Sequence, residues 1–302
     1  MSKEHGGEAP VRFETQSQRR VHERLLQMGR AFFEPPDVPL QVTPRLNPLV
    51  VGPTGAGKSY ISERVARELQ AHFLRATHGD WIPLGSSREY VPTYCEILWA
   101  ITEKDRVVLF LDEVEKLAND PDSAWARSCA TDLWQVIDRA VPTSAVGAYK
   151  SFCTERESKP IASPFLRARM RKNLWIIAAG TWQDLHAGPA RLGFGGQCRE
   201  PVSDRAIRDA IRKSRRIPEE LLYRFNGDLL VIGYPTAEET QALYDASGLS
   251  ALAERANVKL DPERHDWSLG GMRTLEELAA ELLLRLGGTV HRARGSPLSK
   301  ML

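Results

Sequence analysis

Gly52-Pro53-Thr54-Gly55-Ala56-Gly57-Lys58-Ser59 follows the pattern G-x-x-x-x-G-K-[ST], and how this stretch is read decides the fold. Glycines at that spacing let successive backbone N–H groups turn inward around an anion. A lysine reaches the β- and γ-phosphates, the following hydroxyl serves Mg²⁺, and the helix that starts there aims its positive end at the same charge. The flanks agree. Leu49-Val50-Val51 reads as a short buried strand entering the loop, and Ile61, Val65, Leu69 and Phe73 fall on one face of a helix leaving it. Gly52 to Tyr60 is therefore a P-loop with its helix start, a cradle for a nucleoside triphosphate, with Lys58 on the phosphates and Ser59 on the metal.

A P-loop alone does not separate kinases, GTPases and motor ATPases; the next apolar run does more. Val107-Val108-Leu109-Phe110-Leu111 is uninterrupted, as expected of a strand buried on both faces of a parallel sheet. It ends in Asp112-Glu113. Acids at the carboxyl end of a strand beside the P-loop strand would face the metal and the γ-phosphate. Asp112 then holds Mg²⁺, directly or through water, and Glu113 polarises a water for in-line attack. Because Glu113 serves water and no second-substrate site is apparent, hydrolysis is favoured over phosphoryl transfer.

The 302-residue chain is long enough for one large and one small domain, and its net charge of +2 does not by itself imply nucleic acid. Cys95, Cys129, Cys153 and Cys198 are scattered, with no C-x-x-C pair, which argues for reduced thiols in a cytosolic setting and against a zinc module. Met1 to Pro10 lacks an apolar signal core, and runs such as Val107–Leu111 are far too short to span a bilayer. A cytoplasmic protein with no membrane partner is expected.

Along the chain, residues 1–15 read as a disordered N-terminus and Gln16–Phe33 as a helix with apolar Val21, Leu25, Leu26 and Phe32. Further strands are expected at Phe73–Thr77, Trp175–Ala179 and Leu229–Ile232, with helices at Tyr94–Thr102 and Ala126–Ala140. Val141 to Met170 reads as a long connection without clear periodicity, the kind that tends to be functional or mobile. Beyond Pro235 the pattern turns helical, over 237–246, 249–256 and 275–286. The expected fold class is α/β: a parallel sheet with helices on both faces over 16–234, a small C-terminal α-helical domain over 235–290, and a tail over 291–302. Its ligands would lie at the carboxyl ends of the strands, where the P-loop, Asp112-Glu113 and Thr181 converge.

With these motifs in this order, the chain resembles AAA+ ATPases, and within them the ClpX-type unfoldases of the Clp class, from about Gln16 to Leu286. Leu111-Asp112-Glu113-Val114-Glu115-Lys116-Leu117 is similar to their Walker B segment. The resemblance puts Thr181 at the sensor-1 position, where a polar side chain orients water near the γ-phosphate. It makes Arg224, at the end of Ile217–Arg224, the candidate arginine finger. It sets Gly271-Met272-Arg273 at sensor 2, with Arg273 reporting nucleotide to the small domain. A finger supplied in trans, worth about 10³–10⁵ in rate, implies a closed head-to-tail ring, six subunits by analogy. ATP and Mg²⁺ are the implied ligand and cofactor.

Two further matches concern the work done. Glu89-Tyr90-Val91-Pro92 lies where this family carries an aromatic-hydrophobic pore loop, so a ring of Tyr90 and Val91 side chains would grip an extended protein substrate. Leu192-Gly193-Phe194 lies where a docking tripeptide engages a peptidase. The zinc-binding N-terminal module of the ClpX type has no counterpart here, and recognition of substrate or adaptor would fall to surfaces such as Val141–Met170. The leading reading is an ATP-driven protein unfoldase or remodeller. The alternative is a nucleic-acid-linked switch or motor, which draws on Arg167, Arg169, Arg171 and Lys172 and on Arg205, Arg208, Arg212, Lys213, Arg215 and Arg216. A third is a regulatory ATPase whose ring translocates nothing.

Overall fold

A computed structural model describes residues 14–38, 44, 46–77, 79–86, 90–118, 124–182, 204–214, 222–225, 229–260 and 273–294. Its centre is a five-stranded sheet of β1 (Leu49–Val51), β2 (His72–Thr77), β3 (Val107–Asp112), β4 (Leu174–Gly180) and β5 (Leu229–Val231). The strands run parallel in the order β2-β3-β4-β1-β5. The α/β class expected of the sequence is the one found.

Why the strands are apolar throughout follows from the two layers that cover them. Side chains alternate across a strand. Leu49, Val51, Leu109, Leu111, Ile176, Ala178 and Val231 join one core with the helices α3 (Thr93–Glu103), α4 (Ala124–Ile137), α5 (Thr143–Glu155) and α6 (Ser163–Asn173). The intervening residues serve the opposite face, on the side of α1 (Gln16–Phe33) and α2 (Lys58–Glu68). There Phe33 meets Trp175 edge-on at 6.4 Å and Phe73 stacks on Phe110 at 5.9 Å. Close approach there depends on Gly29: a Cβ at that position would lie 2.4 Å from Leu69 Cδ1 and 2.8 Å from the Trp175 ring.

Three expectations are corrected. The Asp112 strand does not lie beside the P-loop strand; β4 stands between them, pairing with β3 on one side and β1 on the other. β4 suits the middle place because all seven of its residues, Leu-Trp-Ile-Ile-Ala-Ala-Gly, are buried. Val141–Met170 is not an aperiodic connection, since α5 and α6 occupy most of it. Ala145, Tyr149, Phe152 and Cys153, buried on α5 at spacings of four, seven and eight, carry the helical period; Gly147 and the polar residues between them mask it. Phe73 does not extend the helix after the P-loop: α2 ends at Glu68, Gln70 turns at φ +54°, and Phe73 belongs to β2.

Two compact units divide the chain: Gln18–Pro53 with Gly57–Gly233, which holds the sheet, and Met1–Ser17, Thr54–Ala56 and Tyr234–Leu302. The second unit contains α8 (Ala237–Ala246), α9 (Leu249–Arg255) and α10 (Arg273–Arg294), α7 being Asp204–Ser214 of the first. Tyr244, Leu249, Ala253, Leu278 and Leu282 form its core. α8 starts at a capping box of Thr236 and Glu239, and Glu239 Oε1 also accepts the Gln16 N–H at 2.7 Å. Among the described residues no helix is long and apolar enough to cross a membrane.

Candidate active site

The site is built where strands end. β1 delivers the chain to Gly52, whose N–H donates to Gly180 O at the end of β4 at 3.3 Å. Pro53, Thr54, Gly55 and Ala56 make the turn, and Gly57 closes it at φ +87°. Gly57 is suited to the left-handed conformation, which strains any other residue, and a Cβ there would also push aside Gln18 Nε2 of α1, 2.9 Å away. α2 then starts at Lys58, so its unsatisfied N–H groups and positive pole face the loop. Lys58 is buried, its ammonium donating to Gly52 O at 2.8 Å and Pro53 O at 2.9 Å. Tyr60, in the first turn of α2, is half-buried.

Asp112 is the hub of the site. Its Oδ2 accepts from Ser59 Oγ at 3.2 Å and from Arg75 Nη2 at 2.8 Å, while its Oδ1 accepts the Glu113 N–H at 3.0 Å. Thus α2 and β3 meet at one carboxylate although β4 separates β1 from β3. A hydroxyl beside a carboxylate is a hard-oxygen set, and it fits Mg²⁺, which binds through one or two protein oxygens together with substrate phosphates. Ser59 and Asp112 are the residues that would hold it; when bound, the ion would neutralise phosphate charge.

Glu113 follows at φ +58°, a left-handed conformation that is costly for a residue with a side chain. Its Oε1 accepts from Lys116 Nζ at 2.7 Å, and that bond is the first cause of the raised Lys116 pKa. Lys116 is therefore held charged beside the Glu113 carboxylate. The turn over Val114–Ala118 carries Glu115 inward, where its Oε1 accepts both the Thr181 N–H at 3.1 Å and the Thr181 hydroxyl at 2.7 Å. Thr181 is consequently seated just past β4, between the β1 and β3 ends.

Ser59, Lys58, Asp112, Glu113 and Thr181 are thus drawn to the carboxyl end of the sheet. Arg224 has partners within its own unit: its Nε donates to both Asp138 oxygens, at 2.9 and 3.0 Å, and its guanidinium lies 4.9 Å from the Trp134 ring centroid. Arg273 opens α10 in the other unit. Tyr90 is 58% exposed and Val91 half-buried, just before α3. Leu192, Gly193, Phe194, Glu89, Gly271 and Met272 lie outside the described residues.

Sequence reasoning assigned no role to Arg75 or Glu115. The alternation of β2 carried a signal for the first: Phe73, Arg75 and Thr77 share a face, and the register Thr77↔Asp112 sets Arg75 diagonal to Asp112 just as Phe73 is diagonal to Phe110. For Glu115 the signal was an acid two residues after Glu113, set between Val114 and Leu117.

The model of the AAA family, ATPases associated with various cellular activities, matches residues 48–184. Vacuolar protein sorting-associated protein 4 of Dictyostelium discoideum is 36% identical over 90 residues, which cover 28% of this chain and 20% of that protein. The match therefore spans one fifth of that relative's length. It points to a branch of these ATPases other than the ClpX type, so the resemblance holds at the level of the AAA domain.

Proposed function

The chain carries an AAA ATPase domain over residues 48–184 and is an ATPase; from that premise we propose that it spends ATP on remodelling protein substrates as a homo-oligomeric ring. The observation that carries this reading is the loop bearing Tyr90. Its ends are pinned: Ile82 N–H donates to Thr93 Oγ1 at 2.9 Å and Thr93 N–H to Ile82 O at 3.0 Å. Leu84 N–H donates to the buried Asp132 at 2.7 Å, and Trp81 is wholly buried. A large aromatic side chain is thus held in solvent on a fixed base, the arrangement needed to pull on an extended chain without sequence preference. The match to a sorting-associated protein favours action on proteins.

In this reading Arg224 acts on the nucleotide of a neighbouring subunit, and Arg273 couples nucleotide state to the second unit. A peptidase or adaptor would dock through Leu192 and Phe194, and three buried free thiols, Cys95, Cys129 and Cys153, favour the cytoplasm. The test is ATP turnover with and without an unfolded protein, in wild type and Tyr90→Ala. Stimulation and remodelling should disappear in the variant while basal turnover stays within about 2-fold. Unaltered remodelling by Tyr90→Ala would end the reading. For the ring, mixing Arg224→Ala with Glu113→Gln protein should restore activity at shared interfaces; a monomer at every concentration, fully active, would exclude it.

One observation favours a second reading, the nucleic-acid motor: Phe165 is 67% exposed on α6, a helix that also exposes Arg167, Arg171 and Lys172. Stimulation of turnover by single-stranded DNA, lost in Phe165→Ala, would select it over the first.

A further inference from the structure

Glu115 is buried, 7% exposed, in a turn whose other charged groups, Glu113 and Lys116, face solvent. Burying a carboxylate is costly unless its oxygens are met by donors. Here Oε1 takes two, the N–H and the O–H of Thr181, while Oε2 has no hydrogen-bond partner among the described residues. Oε2 instead occupies the space left by Gly180. A Cβ on Gly180 would lie 2.6 Å from it and 2.1 Å from the Trp182 ring, which is itself buried on a backbone at φ +39°. Gly180, Glu115 and Trp182 therefore interlock around Thr181.

The second consequence is chemical. A threonine hydroxyl has one hydrogen to give. Thr181 gives it to Glu115, so its oxygen presents only lone pairs to the site and can accept from a water but not donate to a phosphate. We propose that Glu115 is the positioning residue of the hydrolytic step: it fixes Thr181 in place and commits its hydroxyl as an acceptor for the attacking water. The same bond ties the turn that carries Glu113 to the end of β4, so base and water-orienting group are held in one register. This inference rests on Thr181 acting at the nucleotide site.

The experiment uses the full chain, with melting curves to confirm folding, single-turnover ATP hydrolysis for the chemical step, and a fluorescent N-methylanthraniloyl ATP for binding. Thr181→Val and Glu115→Ala should each lower the hydrolysis rate about 10-fold or more with nucleotide Kd within about 2-fold, because orientation and not binding is lost. The double variant should be no slower than Thr181→Val alone. Glu115→Gln keeps an acceptor at Oε1 and should stay near the wild-type rate. Additive losses in the double variant, or full activity in Glu115→Ala where Thr181→Val is impaired, would overturn the proposal. Full activity in Thr181→Val would instead remove Thr181 from the site, and the proposal with it. Should Glu115→Ala not fold, Glu115→Asp supplies the second arm: it keeps the carboxylate but draws it back from Thr181 by one methylene. It should lose rate with Kd retained, and a wild-type rate there overturns the proposal.

Discussion

Two loops leave the carboxyl ends of adjacent strands, one after β2 and one after β3, from residues in direct register, Thr77 and Asp112. They are anchored in opposite ways. The loop after β3 is fastened by its middle: Glu115 turns inward onto Thr181, so nothing between Asp112 and Lys116 shifts without disturbing the end of β4. The loop after β2 is fastened by its ends, at Ile82 and Thr93, with Asp132 bracing Leu84, and it leaves Tyr90 outside. Chemistry that depends on atoms placed to a few tenths of an ångström is built the first way. Contact with a variable partner is built the second way.

The largest effect should come from the inward loop. Glu113→Gln should cut ATP turnover by about 10²–10⁴-fold with nucleotide binding retained, since only proton removal from water is lost. Single-turnover hydrolysis set beside binding of the labelled nucleotide checks this. If binding falls equally, Glu113 belongs to the cradle and the contrast between the loops blurs.

The brace of the outward loop comes next. Asp132→Ala leaves the Leu84 N–H without its acceptor and should cost about 1–3 kcal/mol in denaturant unfolding. Asp132→Asn keeps an acceptor, and it also tests ionisation. Burial raises the Asp132 carboxyl above its ordinary 3.8, outweighing the bond from the Leu84 N–H that lowers it. The folded state therefore holds this proton more tightly than the unfolded chain. That contribution is complete below pH 3.8 and is lost as pH rises through the folded value. The stability of Asp132→Asn relative to wild type should accordingly climb from pH 4 toward neutrality; a flat difference would mean the carboxyl is unperturbed.

Thr93→Val deletes one hydrogen bond at the closure and should cost about 1 kcal/mol, with faster hydrogen exchange at the Ile82 amide as its local signature. Tyr90→Ala is the smallest change, within about 0.5 kcal/mol of wild type, because the side chain already stands in water. A large loss of stability there would make the tip part of the core and dissolve the distinction between the loops.

The sequence made some of this legible because local patterns matched their surroundings. Uninterrupted apolar runs marked β3 and β4, since a strand covered on both faces has no polar side to show. The P-loop spacing located Lys58 and Ser59. Strand order was beyond it: that β4 separates β1 from β3 depends on which buried strand pairs with which, and β1, β3 and β4 are all apolar enough for the centre. α5 was hidden by Gly147 and by a face shared among Ala, Tyr, Phe and Cys. Arg75 and Glu115 acquire their meaning from partners 37 and 66 residues away, Asp112 and Thr181. No window along the chain contains both.

The closure between Ile82 and Thr93 has a consequence for how the protein can change. A segment whose ends are already joined can be lengthened cheaply, each doubling adding only about 0.6 kcal/mol of closure entropy. Insertions, deletions and replacement between Gly85 and Val91, beyond the braced Leu84, should therefore leave the fold standing and the phosphate chemistry untouched. If the segment grips substrate as proposed, descendants of this chain could exchange what they hold by rewriting it alone, and a designer could graft another sequence onto the same two anchors.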